Sequence, residues 1–182
     1  MSAAIRFWQR ETPGGFLLRF VVIGGLAFSL YAFPFELFGF KQDWLSGYLE
    51  AYARLAGGVL RLFEPKLVVV GNRIEGRFPL EIVRTCDAAE ICIMFATAVL
   101  AFPAPWRSKL IALGAGLPCL VAANIARICC LYFLGVYRPS WFKVGHEEVW
   151  PLLLVVFAAF VFQRSVRFMT KPKDSLAPVA SG

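Results

Sequence analysis

The chain has 182 residues, of which 59% are hydrophobic and only 17% are charged, whereas an average soluble domain carries about 25% charged residues. Several apolar runs reach the roughly 18 residues that span hydrocarbon, which excludes an ordinary soluble domain and predicts a polytopic membrane protein. The net charge of +7 comes mainly from basic residues near the ends of these runs, as the positive-inside rule expects. Without a zinc-finger or phosphate-binding motif, no nucleic acid partner is predicted.

The first two elements differ in character. Residues 16–35 form an apolar run without a small-x-small cleavage site after it, which indicates a retained membrane anchor. Residues 44–63 have apolar positions at helical spacing, interrupted by charges such as Glu50 and Arg54. This pattern is typical of an amphipathic helix that lies in the interface or packs on the bundle; a membrane crossing is the alternative. Glu50 and Arg54 are four residues apart and are placed to form an ion pair.

Residues 66–84 change to a period of two, with one apolar and one charged face. Gly71 and Asn72 are a turn signal, and Pro79 indicates an edge position. We therefore predict a small β-hairpin outside the hydrocarbon, whose second strand leads into Cys86.

The remaining sequence alternates long apolar runs with short polar segments. Residues 88–103 are the predicted second span, residues 110–136 the third, and residues 149–162 the fourth, which could extend to residue 168. Residues 137–148 are predicted to be a polar loop, and residues 170–182 a disordered cytoplasmic tail. The predicted fold class is an all-α polytopic membrane protein of about four transmembrane helices, or five if residues 44–63 cross. An interfacial amphipathic helix and a small extracytoplasmic β-hairpin complete this single domain, residues 1–182.

The distribution of basic residues sets the predicted orientation. With four spans, the N-terminus, the turn with Arg107 and Lys109, and the tail share one side, and the positive-inside rule places that side in the cytoplasm. Cys86 then lies at the outer end of the second span. Arg127 lies about 25 Å along the third, at 1.5 Å per residue, and His146 is in the outer loop. These three residues are therefore expected to converge on the outer face.

Each of these residues has a functional and a simpler interpretation. Cys86 lies at a helix start beside Arg84, where a thiolate is favoured, although it could be an ordinary interfacial cysteine. Arg127, with Asn124 on the same helix face, fits a fixed cation that stabilises an oxyanion, although it could reach the lipid headgroups. His146 fits a general acid or base, although a lone loop histidine is often only solvated. Five scattered cysteines and one histidine show neither a disulfide framework nor metal-ligand spacing, so no metal or other cofactor is predicted.

The order Cys86, then Asn124-x-x-Arg127, then His146 resembles the exosortase/archaeosortase family over residues 68–164, most closely the exosortase H branch. The resemblance implies a multi-pass inner-membrane cysteine transpeptidase with its site facing the periplasm and both termini in the cytoplasm. Its partners would be surrounding lipid and secreted proteins that carry a C-terminal motif, helix and basic tail, of the PEP-CTERM or IPTL-CTERM type. Cys86 would be the nucleophile, Arg127 would stabilise the oxyanion, His146 would transfer the proton, and Asn124 would support them. The acceptor is not indicated.

One position departs from the family pattern. The family usually has glycine two residues after the cysteine, where this chain has Ala88. Alanine stays small, but we expect the backbone angles that are special to glycine to be lost.

Two non-peptidase classes stay open. A non-catalytic membrane scaffold or assembly subunit explains the spans and the cations and predicts that Cys86→Ala is silent. A small transporter would use Arg127 to bind an anion and would not need Cys86 or His146.

Overall fold

The computed structural model describes residues 13–32, 43–86 and 88–170. Six α-helices, a three-stranded sheet, a 3₁₀ turn and a π-helical turn make up this part of the chain. The helices are α1 (Pro13–Ala32), α2 (Asp43–Leu60), α3 (Ala89–Ala101), α4 (Trp106–Tyr137), α5 (Pro139–Val144) and α6 (Trp150–Met169). The strands are β1 (Val68–Val70), β2 (Arg73–Glu75) and β3 (Leu80–Glu81), and residues 171–182 of the predicted tail lie outside the described part.

The described helices confirm a helical polytopic membrane protein. Three segments are long and apolar enough to cross a membrane, namely α1, α4 and the continuous helical segment Pro139–Met169. Helix α3, predicted as a span over residues 88–103, is a shorter apolar helix of 13 residues. At 1.5 Å per residue it is about 20 Å long, less than the roughly 30 Å of hydrocarbon in a bilayer.

Helix α4 is the central element of the bundle. Its 32 residues extend for about 48 Å, so it is longer than the hydrocarbon is thick. Helices α2, α3, α5 and α6 all pack against it. The N-terminal half of α4, which begins at Trp106, packs against the apolar helices α3 and α6. The C-terminal half, which ends at Tyr137, reaches the sheet.

Helix α2 is the predicted amphipathic helix, and it packs on the bundle. Its buried face contacts α4 and strands β1 and β2, and Leu55 and Val59 are exposed on the other face. It is not among the candidate spans of the described residues. The predicted ion pair is present, with 2.6 Å between Arg54 Nη2 and Glu50 Oε1, although an exposed pair of this kind stabilises a helix by only about 0.3–0.5 kcal/mol.

The predicted hairpin is present in its first half. Strands β1 and β2 pair antiparallel with Val69 opposite Ile74, and Gly71 takes the positive φ of 60° that the turn requires. The predicted second strand is interrupted, however, because the chain leaves the ladder after Glu75 and returns as β3, where Leu80 pairs with Ile74.

The interruption has a cause in long-range hydrogen bonds. The Arg77 backbone N–H donates to the Tyr132 hydroxyl of α4 at 2.9 Å and to Glu64 Oε1 at 3.1 Å, instead of to a neighbouring strand. The Tyr132 hydroxyl itself donates to Glu64 Oε2 at 2.6 Å. Gly76 lies so close to this hydroxyl that a Cβ there would overlap it.

The predicted polar loop over residues 137–148 is wrong, because this segment is helical. Arg138 alone separates α4 from α5, and Pro139 begins α5 at a position where proline is well tolerated. Residues Gly145–Val149 then form a π-helical turn that continues directly into α6. The polar residues misled the prediction because they lie on the exposed side of a helix, whereas Gly145 is buried against Leu134.

The buried side chains form two clusters. One contains residues of α2, the sheet and the C-terminal half of α4, together with Cys86. The other lies among α3, the N-terminal half of α4 and α6, where the Phe95 ring packs directly on Gly116. The second cluster fixes the position of α3 against α4. The residues that immediately precede α3 in the chain are therefore held in a defined position as well.

Because the Phe95 ring occupies the space beside Gly116, we expect Gly116→Ala to cost about 1–3 kcal/mol of stability through overpacking. Gly114 is the matched control, since a Cβ there meets nothing within 4 Å and alanine raises helix propensity by up to about 1 kcal/mol. The midpoints of thermal unfolding of the two purified variants in detergent measure both effects. Equal midpoints would contradict the close packing of α3 on α4.

Candidate active site

Cys86 lies at the junction between the sheet and α3. It ends the 3₁₀ turn Arg84–Cys86, and its N–H donates to the Val83 carbonyl at 2.7 Å. The residue is only 4% exposed and belongs to the core cluster under the sheet. This tight turn holds the thiol within the protein, so it is not a surface cysteine.

Ala88, the residue before α3, has a left-handed backbone conformation with φ 55° and ψ 14°. It is the non-glycine residue with positive φ among the described positions. The expectation that alanine would lose the backbone angles special to glycine is therefore wrong. The chain adopts these angles and accepts the associated strain, about 1–2 kcal/mol for an L-residue, and strain of this kind is concentrated at functional sites.

Asn124 joins α4 to the backbone of Cys86. Its Nδ2 donates to the Cys86 carbonyl oxygen at 2.7 Å, and the side chain is fully buried. Its Oδ1 is buried without a hydrogen-bond partner among the described residues. Asn124 therefore fixes the main chain of Cys86 and leaves one acceptor beside it.

His146 brings its imidazole to the thiol of Cys86 from the π-helical turn. Cys86 Sγ and His146 Nε2 are 3.1 Å apart, across 60 residues of sequence. At this distance a thiol can donate to a neutral imidazole, or an imidazolium can donate to a thiolate. This is the pairing that activates a cysteine nucleophile in proteins.

Arg127 lies one helical turn after Asn124 on the same face of α4 and is 4% exposed. Its Nη2 makes a long hydrogen bond of 3.4 Å to the His146 carbonyl oxygen. The guanidinium therefore points towards the element that carries the imidazole, and it does not reach outward like a lipid-facing arginine. A buried cation this close to a thiol and an imidazole can stabilise negative charge that develops there.

Phe142 is a site residue that the sequence did not indicate. Its ring stacks on the His146 imidazole, with centroids 5.9 Å apart and planes at 17°. On its other side it packs against Phe78, with centroids 5.1 Å apart. The four-residue spacing of Phe142 and His146 would have been a signal only if the segment had been recognised as helical. Glu147 and Glu148, which follow His146 in the chain, are exposed.

The structure thus brings Cys86, Asn124, Arg127 and His146 into one cluster. The predicted convergence of three distant segments is observed as geometry, while the catalytic role of each residue stays a prediction. Among the residues that the structure describes, no group of three or more His, Cys, Asp or Glu side chains is placed to hold a metal ion.

Because Ala88 has a left-handed backbone, we expect Ala88→Gly to raise stability by up to about 1.5 kcal/mol. Relief of about 1–2 kcal/mol of strain is partly offset by the entropy of glycine, about 0.5–1 kcal/mol. The variant Ala98→Gly, in the interior of α3, should instead destabilise by about 1 kcal/mol. Unfolding midpoints that fall in both variants would contradict the strain at Ala88.

Because Asn124 satisfies the Cys86 carbonyl, we expect Asn124→Leu to lower the free energy of unfolding by about 1–3 kcal/mol, the cost of an unpaired buried acceptor. Ser165→Ala is the control, since Ser165 Oγ bonds only to the Val161 carbonyl of its own helix. Chemical unfolding in detergent compares the two. A loss in Asn124→Leu no larger than in Ser165→Ala would show that this bond does not hold the Cys86 turn.

Comparison with known proteins gives one result. A family model described as transmembrane exosortase (Exosortase_EpsH) matches residues 14–163, while neither a curated protein nor a solved structure matches the chain. The matched range runs from the first helix into the last and includes all four predicted site residues. The chain therefore belongs to the transmembrane exosortase family, as its motifs had indicated.

Proposed function

We propose that this membrane protein is a cysteine transpeptidase that cleaves the C-terminal sorting signal of secreted proteins. The observation that carries the proposal is the 3.1 Å contact between Cys86 Sγ and His146 Nε2. Family membership supports the proposal, and so does the position of Cys86, whose turn joins the sheet outside the apolar helices to helix α3. A nucleophile at that depth suits a peptide bond just outside a substrate's membrane helix.

The proposed reaction has two stages, acylation of Cys86 and transfer of the acyl group to an acceptor. The Cys86 sulfur attacks the carbonyl carbon of the scissile peptide, and its proton passes to His146 Nε2. The C–N bond then breaks, the leaving amine takes the proton from His146, and a thioester to Cys86 remains. An acceptor nucleophile attacks the thioester and gives its proton to His146; the C–S bond then breaks, and His146 returns the proton to the Cys86 sulfur, which leaves as the thiol.

Arg127 and Asn124 have distinct parts in this scheme. Arg127 carries a permanent positive charge next to the imidazole element and stabilises the oxyanion of both tetrahedral intermediates. Asn124 does not react; it holds the Cys86 carbonyl and so fixes the direction of the thiol. One face of α4 thus carries both the positive charge that stabilises the oxyanion and the amide that holds the Cys86 backbone.

The orientation follows from the two ends of the bundle. The end opposite the sheet carries Arg107, Lys109, Arg164 and Arg167, and the contact between Phe102 and Phe162 shows that α3 and α6 meet there. The positive-inside rule favours the cytoplasm for this end. The proposal therefore places the protein in the bacterial inner membrane with Cys86 facing the periplasm and both termini in the cytoplasm.

The substrates in this proposal are secreted proteins with a C-terminal motif, membrane helix and basic tail of the PEP-CTERM or IPTL-CTERM type, as in the exosortase H branch. The helix of such a substrate would lie beside the enzyme in lipid, and its motif would reach the sheet and α2.

Because Cys86 is the proposed nucleophile, we expect Cys86→Ala to reduce substrate processing by at least about 100-fold, since loss of a nucleophile removes most of the rate enhancement. Cys92→Ala is the matched control, because Cys92 is also a free cysteine, six residues further along in α3. Co-expression with a tagged protein that carries the signal, followed by gel-shift analysis, measures the processing of wild type and both variants.

Processing that stops in Cys86→Ala and continues in Cys92→Ala supports the proposal. Processing that continues in Cys86→Ala would overturn the cysteine mechanism and would favour the scaffold interpretation. The substrate for this experiment should come from the same organism, so that motif and enzyme are matched.

A further inference from the structure

The hydrogen bonds around His146 depart from those of an ordinary helix. In an α-helix each N–H donates to the carbonyl four residues earlier, but the Trp150 N–H donates to the Gly145 carbonyl, five residues earlier. The Gly145–Val149 segment is therefore a wide π-helical turn, a feature that is rare and frequent at functional sites. His146 lies inside this turn.

The residue after Trp150 explains where the wide turn comes from. Residue 151 is proline, which has no N–H and whose ring clashes with the carbonyl four residues earlier, here that of Glu147. A proline in a first helical turn is ordinary when the chain before it is not helical. Here the preceding residues are helical from Pro139 onward, so the clash falls on a helical carbonyl and widens the turn.

The missing N–H also has a consequence for His146. If the spacing of five continued by one residue, the donor to the His146 carbonyl would be the nitrogen of residue 151, which carries no hydrogen. The Trp150 N–H is already engaged by Gly145. The His146 carbonyl instead accepts a long hydrogen bond from Arg127 Nη2, at 3.4 Å.

Two further contacts hold the part of the turn that carries the imidazole. Gly145 is buried directly against Leu134 of α4, where a Cβ would overlap the leucine side chain. Phe142 stacks on the imidazole from one helical turn before. An α-helical register would rotate the residues before the turn by about 100° relative to those after it, so these contacts and the 3.1 Å distance to Cys86 Sγ could not all be kept.

From these contacts we infer that Pro151 is a positioning residue, which holds the π-helical turn open so that His146 presents its imidazole to Cys86 and its carbonyl to Arg127. This inference rests on the proposed function, because it assigns a cause to the Cys86–His146 geometry. Pro151 itself touches neither substrate nor the reacting atoms.

The test uses the reactivity of Cys86, which requires no substrate. Wild type, Pro151→Ala and His146→Ala are reconstituted as full chains and treated with iodoacetamide across a pH series, and the rate at Cys86 is followed by mass spectrometry of its peptide. Pro118→Ala is the matched control, because Pro118 is also inside a helix but lies away from the His146 turn. Thermal unfolding of each variant is measured in parallel.

We expect the pH profile of Pro151→Ala to move from that of wild type towards that of His146→Ala, with alkylation near neutral pH slower by about tenfold, the size of effect that one lost charge-assisted contact produces. The unfolding temperature of Pro151→Ala should equal or exceed that of wild type, because alanine restores a helical donor and removes the clash. Higher stability with lower Cys86 reactivity is a combination that a merely structural proline would not give. Pro118→Ala should keep the wild-type alkylation profile.

A wild-type alkylation profile in Pro151→Ala, beside a changed profile in His146→Ala, overturns the inference alone and leaves the proposed function intact. A His146→Ala profile equal to wild type overturns the thiol–imidazole pair, and with it both the proposed mechanism and the role of Pro151. A loss of reactivity of equal size in Pro118→Ala would also overturn the inference, since any helix proline would then have the same effect.

Discussion

The structure depends on two hydrogen bonds that α4 donates to backbone carbonyls. Asn124 bonds the carbonyl of Cys86 and Arg127 bonds the carbonyl of His146, and the two donors are three residues apart on one helix face. Away from bulk water an unpaired carbonyl costs several kcal/mol, so the short bond from Asn124, at 2.7 Å, constrains the Cys86 turn strongly, while the long bond from Arg127, at 3.4 Å, constrains the His146 turn more weakly. Because both donors belong to one rigid helix, α4 sets the distance between Cys86 and His146, whose side chains contact each other.

The three-stranded sheet is connected to the same helix and, through it, to the imidazole. Tyr132 and Glu64 hold the backbone of Arg77, which places Phe78 against the buried surface of Gly135. Phe78 then packs on Phe142, which stacks on His146. A continuous chain of contacts thus joins the loop after β2 to the imidazole.

Sequence patterns predicted the features that depend on local periodicity. The apolar runs predicted the helices, the alternation of apolar and charged residues predicted the pairing of the first two strands, and its place in an apolar run marked Arg127 as a candidate internal cation. The predictions that were wrong concern features that depend on contacts with residues distant in sequence. The second strand is interrupted because Tyr132, 55 residues away, takes the N–H of Arg77, and the segment around His146 was taken for a loop because its exposed polar face hid the buried Gly145 and Phe142.

The site itself was predictable as a set of residue types but not as a geometry. Cys86 and Arg127 could be named because each is out of place for its surroundings, a thiol among charges and a charge among apolar side chains. Asn124 could be named from its spacing to Arg127, and His146 from the order of motifs that resembles the family. Phe142 could not, since an aromatic residue in a membrane protein needs no explanation. The π-helical turn could not be read either, because Pro151 has the same sequence signature as an ordinary helix start.

Irregular backbone flanks both residues of the proposed reacting pair. Ala88, two residues after Cys86, is left-handed, and the turn that contains His146 is π-helical. Each departure costs free energy that a standard helix start would save, and natural sequences keep such local conflicts mainly where function requires them. A scaffold needs spans and complementary surfaces, which α1, α4 and α6 supply without the irregular backbone at Ala88 and His146. The coincidence of two independent backbone irregularities beside one 3.1 Å thiol–imidazole contact is therefore an argument for chemistry at this site, independent of the family to which the chain belongs.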